Sequence, residues 1–172
     1  EDGINLEALE EACKTHKNVR YLYLIPNFQN PMGVTIPLEK RKKIYELACK
    51  YDFLIYEDDP YGELRYAGEP VPAFKSIDTE GRVVYAGSFS KILASQAVID
   101  KMTALKGNLD SGSPVSSSLI ARYFMEEGKL DPHVEKTCAL YAKKREAMLS
   151  GLDKYMSSKC TRTNPEGGMF LW

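Results

Sequence analysis

Six polar residues stand just beyond the ends of three apolar runs. "LYLIPNFQNPMG" carries Asn30, "FLIYEDDPYGEL" carries Asp58 and Tyr61, and "VVYAGSFSK" carries Ser88, Ser90 and Lys91. Together they supply an amide, a carboxylate, a phenol, two hydroxyls and an amine. A lysine directly behind a buried run and two serines is placed as a reactive amine rather than as a solvated charge. Each residue also has a plainer reading. Asp58 and Asp59 can cap the turn before Pro60, Ser88 and Ser90 can be turn hydroxyls, and Asn30 before Pro31 can be an ordinary turn residue. The plain readings account for the residues singly and leave the set unexplained.

The elements that must hold these residues follow from periodicity. Leu6, Leu9 and Cys13 recur at helical spacing, and the run Val19–Ile25 is β-branched and aromatic, the pattern of a strand. A helix begins near Pro37, with Ile44, Leu47, Ala48 and Tyr51 on one apolar face and Glu39 suited to its positive end. Phe53–Tyr56 and Val83–Ala86 read as two further strands. Strands joined by helix-length crossovers predict an α/β fold whose parallel sheet is covered on both faces. In such sheets ligands sit beyond the carboxyl ends of the strands, where all six residues fall.

The last third reads as helical over Gln96–Lys106, Ser116–Glu127 and from His133 to about Tyr155. Val134, Cys138, Tyr141, Met148 and Leu152 form a stripe on the last helix that is expected to pack as core. Asp131 and Pro132 mark a boundary between residues 1–132 and 133–172. The final "EGGMFLW" reads as a turn entering a strand, so the chain is expected to be incomplete.

Composition narrows the function classes. The 172 residues are 44% hydrophobic with a net charge of -1, so no bulk charge draws the chain to nucleic acid or anionic membrane. The one basic run, "EKRKK" at Glu39 to Lys43, is expected to be a solvated helix face. Cys13, Cys49, Cys138 and Cys160 are too scattered for a zinc site or disulfide framework, which points to a reduced, cytoplasmic protein. His16 and His133 stand alone and receive no role. No apolar run approaches the length of a membrane span.

One cofactor uses the whole polar set. Pyridoxal 5'-phosphate needs a lysine for its aldehyde, a carboxylate beside its ring nitrogen, an amide or phenol at its ring oxygen, and hydroxyls for its phosphate. "NPMG" (Asn30 to Gly33), "YEDDPYGEL" (Tyr56 to Leu64) and "GSFSKILA" (Gly87 to Ala94) resemble, in order and separation, the signature segments of class I/II aminotransferases. The flavour of "PNFQNPMG" with "EDDPY" is most similar to the branch holding 2-aminoadipate, kynurenine and aromatic aminotransferases. The resemblance implies part of a fold-type I large domain, a mostly parallel sheet with flanking helices, followed by the start of the small α+β domain.

The same resemblance implies roles. Lys91 would carry the cofactor as a Schiff base and move the substrate's α-proton. Asp58, favoured over Asp59 by its spacing from Tyr61, would face the ring nitrogen. Asn30 and Tyr61 would face the ring oxygen, and Ser88 and Ser90 the phosphate. The implied reaction moves an amino group from an amino acid to a 2-oxo acid by a ping-pong route in a homodimer. A ligand-sensing domain of a transcription regulator and a fold-type I lyase or decarboxylase are the alternatives. The pattern departs from the family after Ala94, where "SQAVIDKM" replaces the expected "APGLR" strand, and no phosphate-pairing arginine can be assigned. Ala94 and Ser95 are therefore expected to flank a missing segment, with the cofactor site empty.

Overall fold

A computed structural model describes residues 2–16, 18–88, 115–157 and 160–172. Helix α1 (Leu6–Thr15) starts at Asn5, whose Oδ1 accepts from the Ala8 N–H at 2.7 Å. This is the usual way to satisfy an otherwise orphaned first-turn donor. Strand β1 (Tyr21–Leu24), helix α2 (Leu38–Tyr51), strand β2 (Leu54–Asp59), a 3-10 helix (Phe74–Ile77) and strand β3 (Val83–Gly87) follow. The three strands form one parallel sheet in the order β1-β2-β3. Its register pairs Tyr23 with Tyr56, and Asp58 with Ala86.

Ile44 and Ala48 of α2, Phe53 and Ile55 at β2, Phe74 and Val83 make the main core beneath one face of the sheet. Each large apolar side chain buried this completely stabilises the fold by about 1.5–3 kcal/mol. The other face is different. Tyr21, Tyr23, Leu54, Tyr56 and Val84 lie on it and are exposed, Tyr21 at 67%. The expectation of a sheet covered on both faces thus holds for one face among the described residues. The strands are apolar on both sides, and α1 and α2 pack on one.

The "EKRKK" run also departs from its reading. Lys42 and Lys43 are exposed, but Arg41 is fully buried, because it shares a helical stripe with Ile44 and Ala48 at i+3 and i+7.

Helices α3 (Val115–Glu126) and α4 (Leu130–Tyr155) form the last third. Asp131 and Pro132 lie inside the first turn of α4 instead of ahead of it. Proline is tolerated there because the first-turn N–H groups have no partner within the helix. No residue of α4 is fully buried, and Met148 on the expected core stripe is 55% exposed. The segment expected as a closing strand makes only an isolated antiparallel bridge, Arg65 to Gly167. The helix expected over Gln96–Lys106 lies outside the described residues. All four cysteines are free thiols. No helix among the described residues is long and apolar enough to cross a membrane.

Candidate functional site at the carboxyl edge of the sheet

Parallel register brings the ends of β2 and β3 side by side. Asp59 pairs with Gly87, so Ser88 sits one residue beyond that pair, half-buried. Because side chains alternate along a strand, Asp58 and Asp59 face opposite sides of the sheet. Asp58 lies on the bare face and accepts a hydrogen bond from the Tyr23 hydroxyl, Oη to Oδ2 at 2.6 Å. That bond, then burial, pushes the Tyr23 phenol up to about 12, so it remains a donor throughout the neutral range. The Tyr23 and Tyr56 rings stack at 5.9 Å between centroids and floor an open groove of about 570 Å³ that reaches Asp58.

Asp59 turns the other way. Its Oδ2 accepts from Asn27 Nδ2 at 3.0 Å and lies 3.5 Å from the Tyr85 hydroxyl, while its buried Oδ1 has no partner among the described residues. Burial pushes this carboxyl above the usual aspartate range, although Asn27 and the Gly62 N–H pull it back. Glu57, two residues earlier on the same face, is fully buried but capped by the Phe74 and Lys75 N–H groups at 2.8 and 2.9 Å.

The loop after β1 is built tightly. Gly33 N–H donates to Gln29 O, Gln29 N–H donates to Val34 O, and the Asn30–Pro31 peptide is cis. Phe28 adopts a left-handed backbone with φ of 49°, a conformation unusual for a bulky side chain. It is held in place because Gly167 and Gly168 close directly on its side chain and the Arg65 guanidinium lies 4.7 Å over its ring. No side chain at Gly167 would fit between Phe28 and the Leu64 carbonyl.

The expected residues therefore meet only in part. Asp58 and Ser88 share the carboxyl edge of the sheet. Asn30 is exposed on its loop. Tyr61 is buried in a second cluster with Phe28 and Leu64, its ring edge-on to Phe170 at 5.5 Å. Ser90, Lys91 and the Ala94–Ser95 junction lie outside the described residues. Sequence reading missed Tyr23, Asn27 and Arg41. The alternation that puts Tyr23 and Asp58 on one face was a usable signal for the first, and the stripe with Ile44 for the third.

Comparison with known proteins supplies the wider frame. The family model described as aminotransferase class I and II matches residues 1–172. Aromatic-amino-acid aminotransferase 1 of Thermococcus litoralis is 44% identical, over 100% of this chain and 45% of its own length. That match runs over 186 positions, 14 more than the chain's 172 residues, so the relative carries residues that this chain lacks. The crystal structure of Pyrococcus horikoshii kynurenine aminotransferase in complex with PMP superimposes with a TM-score of 0.86 at 41% identity. It covers 99% of this chain and 46% of its own. LysN, the alpha-aminoadipate aminotransferase of Thermus thermophilus, complexed with N-(5'-phosphopyridoxyl)-L-leucine, gives 0.82 at 33% identity, over 100% of this chain and 47% of its own. The chain spans under half the length of these relatives.

Proposed function

The chain belongs to the class I and II aminotransferase family, and on that premise we propose that the complete protein is a pyridoxal-phosphate-dependent aminotransferase passing an amino group from an amino acid to a 2-oxo acid. The observation that carries this reading is Asp58. It is a carboxylate at the carboxyl end of a central parallel strand, with one oxygen fixed by Tyr23 and the side chain facing an open groove.

That geometry suits a cationic ring N–H, since a carboxylate anchored through one oxygen can aim the other. Residues 1–132 form part of the cofactor-binding large domain in this reading, and 133–172 begin the small one. Asn30 and Tyr61 would hold the ring oxygen of the cofactor, Ser88 and Ser90 its phosphate, and Lys91 would be the amine that attaches it as a Schiff base. When bound, pyridoxal phosphate acts as an electron sink for the substrate α-carbon. Asp58 holds a proton at the ring nitrogen, and the Lys91 amine takes and returns the proton at that carbon. Amino donor and 2-oxo acceptor then use the site in turn, in ping-pong order. We also propose that the 14 positions by which the match to the Thermococcus relative exceeds this chain fall after Ala94. The enzyme is further proposed to be a cytoplasmic homodimer, which sedimentation and cell fractionation check.

The regulator and lyase alternatives are not favoured: the relatives named as transcriptional regulators are 30% identical, against 44% for the Thermococcus aminotransferase. The test is borohydride reduction of the complete protein followed by peptide mapping. A pyridoxyl group is expected on Lys91, and labelling of another lysine overturns the assignment.

A further inference from the structure

Arg41 projects from α2 into the covered side of the sheet and is fully buried. Among the described residues its bonds go to the loops that follow β1 and β2 and to the residues just before its own helix. Nε donates to Ile36 O at 2.8 Å, Nη1 to Pro72 O at 3.0 Å, and Nη2 to Pro26 O at 3.2 Å and to Asn27 Oδ1 at 2.6 Å. Asn27, only 7% exposed, then donates through Nδ2 to Asp59 Oδ2. The path Arg41, Asn27, Asp59 is continuous, buried at Arg41 and Asn27 and half-buried at Asp59. It joins the loop that leads to Asn30 with the turn that carries Asp58 and Tyr61.

A network built only for stability would close on itself, but this one ends in a carboxylate oxygen that is buried and unpartnered among the described residues. It ends directly beside Asp58. Tyr23 grips Asp58 from the bare face while Asn27 grips Asp59 from the covered face. The strand end is therefore held from both sides, and the peptide between the two aspartates cannot rotate without breaking one bond or the other. We propose that Asp59, held by Arg41 through Asn27, is a positioning residue that fixes the direction of Asp58 and ties its turn to the Asn30 loop. This rests on reading Asp58, Tyr61 and Asn30 as the residues that meet the cofactor ring.

The experiment uses the complete protein. In Asn27→Ala and Asp59→Ala the dissociation constant for pyridoxal phosphate, by equilibrium dialysis, is expected to rise about 10-fold. Hydrogen exchange in the cofactor-free protein should quicken across residues 27–33 and 58–64 together. Asp59→Asn keeps an acceptor for Asn27 and should restore both quantities to near the wild-type values. Asp78→Asn, at the opposite edge of the sheet, is the control for lost stability and should change neither. If either alanine variant fails to fold, Asn27→Ser, too short to bridge Arg41 and Asp59, reads the same two quantities. Affinity and exchange that track only the melting temperature, as in Asp78→Asn, overturn the proposal, as does failure of Asp59→Asn to rescue. A wild-type protein that binds no pyridoxal phosphate defeats the cofactor reading instead, and coupled exchange of the two loops still decides whether the relay exists.

Discussion

At the amino-terminal edge of the sheet, Asp78 accepts from the Lys75 ammonium at 2.9 Å, the Tyr45 hydroxyl at 3.2 Å, and the Arg82 and Val83 N–H groups at 2.9 and 3.1 Å. Arg82 beside it is paired with both Asp52 and Glu80. At the carboxyl edge, Asp59 is held by Asn27 and the Gly62 N–H with the Tyr85 hydroxyl at 3.5 Å, and its Oδ1 has no side-chain partner among the described residues. The two carboxyls shift in opposite directions. Burial raises Asp59 and is not outweighed. Burial also opposes ionisation of Asp78, yet its four donors overcome that and hold it well below the usual aspartate range. One edge of the sheet satisfies its charges and the other leaves them partly unmet, the pattern expected when a functional edge is supported by a stable remainder.

The strongest way to break this contrast is to remove the one group that ties the carboxyl edge to the core. Arg41→Met deletes four hydrogen bonds and leaves Glu57 and Asp59 buried without their nearby cation. A loss of about 3–5 kcal/mol is expected in urea unfolding of the complete protein. A loss below about 1 kcal/mol would show that the buried charges are not compensating one another.

Asp58→Asn probes the same edge from its exposed side. Asparagine keeps an oxygen that can accept from the Tyr23 hydroxyl, so stability should barely change. Amino transfer should fall by about 10²–10³-fold, the scale of losing one preorganised charged group at a reacting centre. Single-turnover kinetics alongside thermal melting separate the two effects. A variant that loses stability and keeps its rate would put Asp58 with Asp78, and the contrast would fail.

Asp78→Asn is the counterpart at the amino edge. It should cost about 1–3 kcal/mol, because charge-assisted bonds to Lys75 and two N–H groups weaken together. Activity per folded molecule should be unchanged. Its contribution is present above the ordinary aspartate range and is lost as pH falls through the depressed folded value. Wild type and variant should therefore converge in strong acid. Urea titrations at several pH values test this.

The sequence made the strands and α2 legible because their signals are local: continuous β-branched runs and an i, i+3, i+4, i+7 face. The carboxyl-edge location of Asp58 and Ser88 followed from the parallel reading alone. The relay did not, for a physical reason. Its decisive contacts join residues 14 and 32 apart, Arg41 to Asn27 and Asn27 to Asp59, and depend on loop geometry that no periodicity encodes. Arg41 was hidden in a run of charges in which Lys42 and Lys43 do face water. The strand readings assumed that apolar residues on both faces meant cover on both faces, and Tyr21, Tyr23 and Leu54 show that the sequence records a cover that the described residues do not provide.

The smallest effect carries the sharpest sign. Asp59 has a folded pKa raised by burial, so the fold prefers its protonated form. Its favourable contribution is complete below the ordinary aspartate value and declines as pH rises from about 4 toward the raised folded value. Asp59→Asn removes that titration and keeps an oxygen for Asn27 Nδ2. The variant should match or exceed wild type in stability at neutral pH, by no more than about 1 kcal/mol, with a flatter dependence on pH above the ordinary aspartate range. Asp78→Asn must move the other way in the same titration, losing stability at neutral pH and nothing in acid. Opposite slopes from two isosteric Asp→Asn changes on one sheet would establish that its edges hold charge differently. Parallel slopes would mean that Asp59 ionises as freely as Asp78, and that the orphaned oxygen is met by a donor in the complete protein.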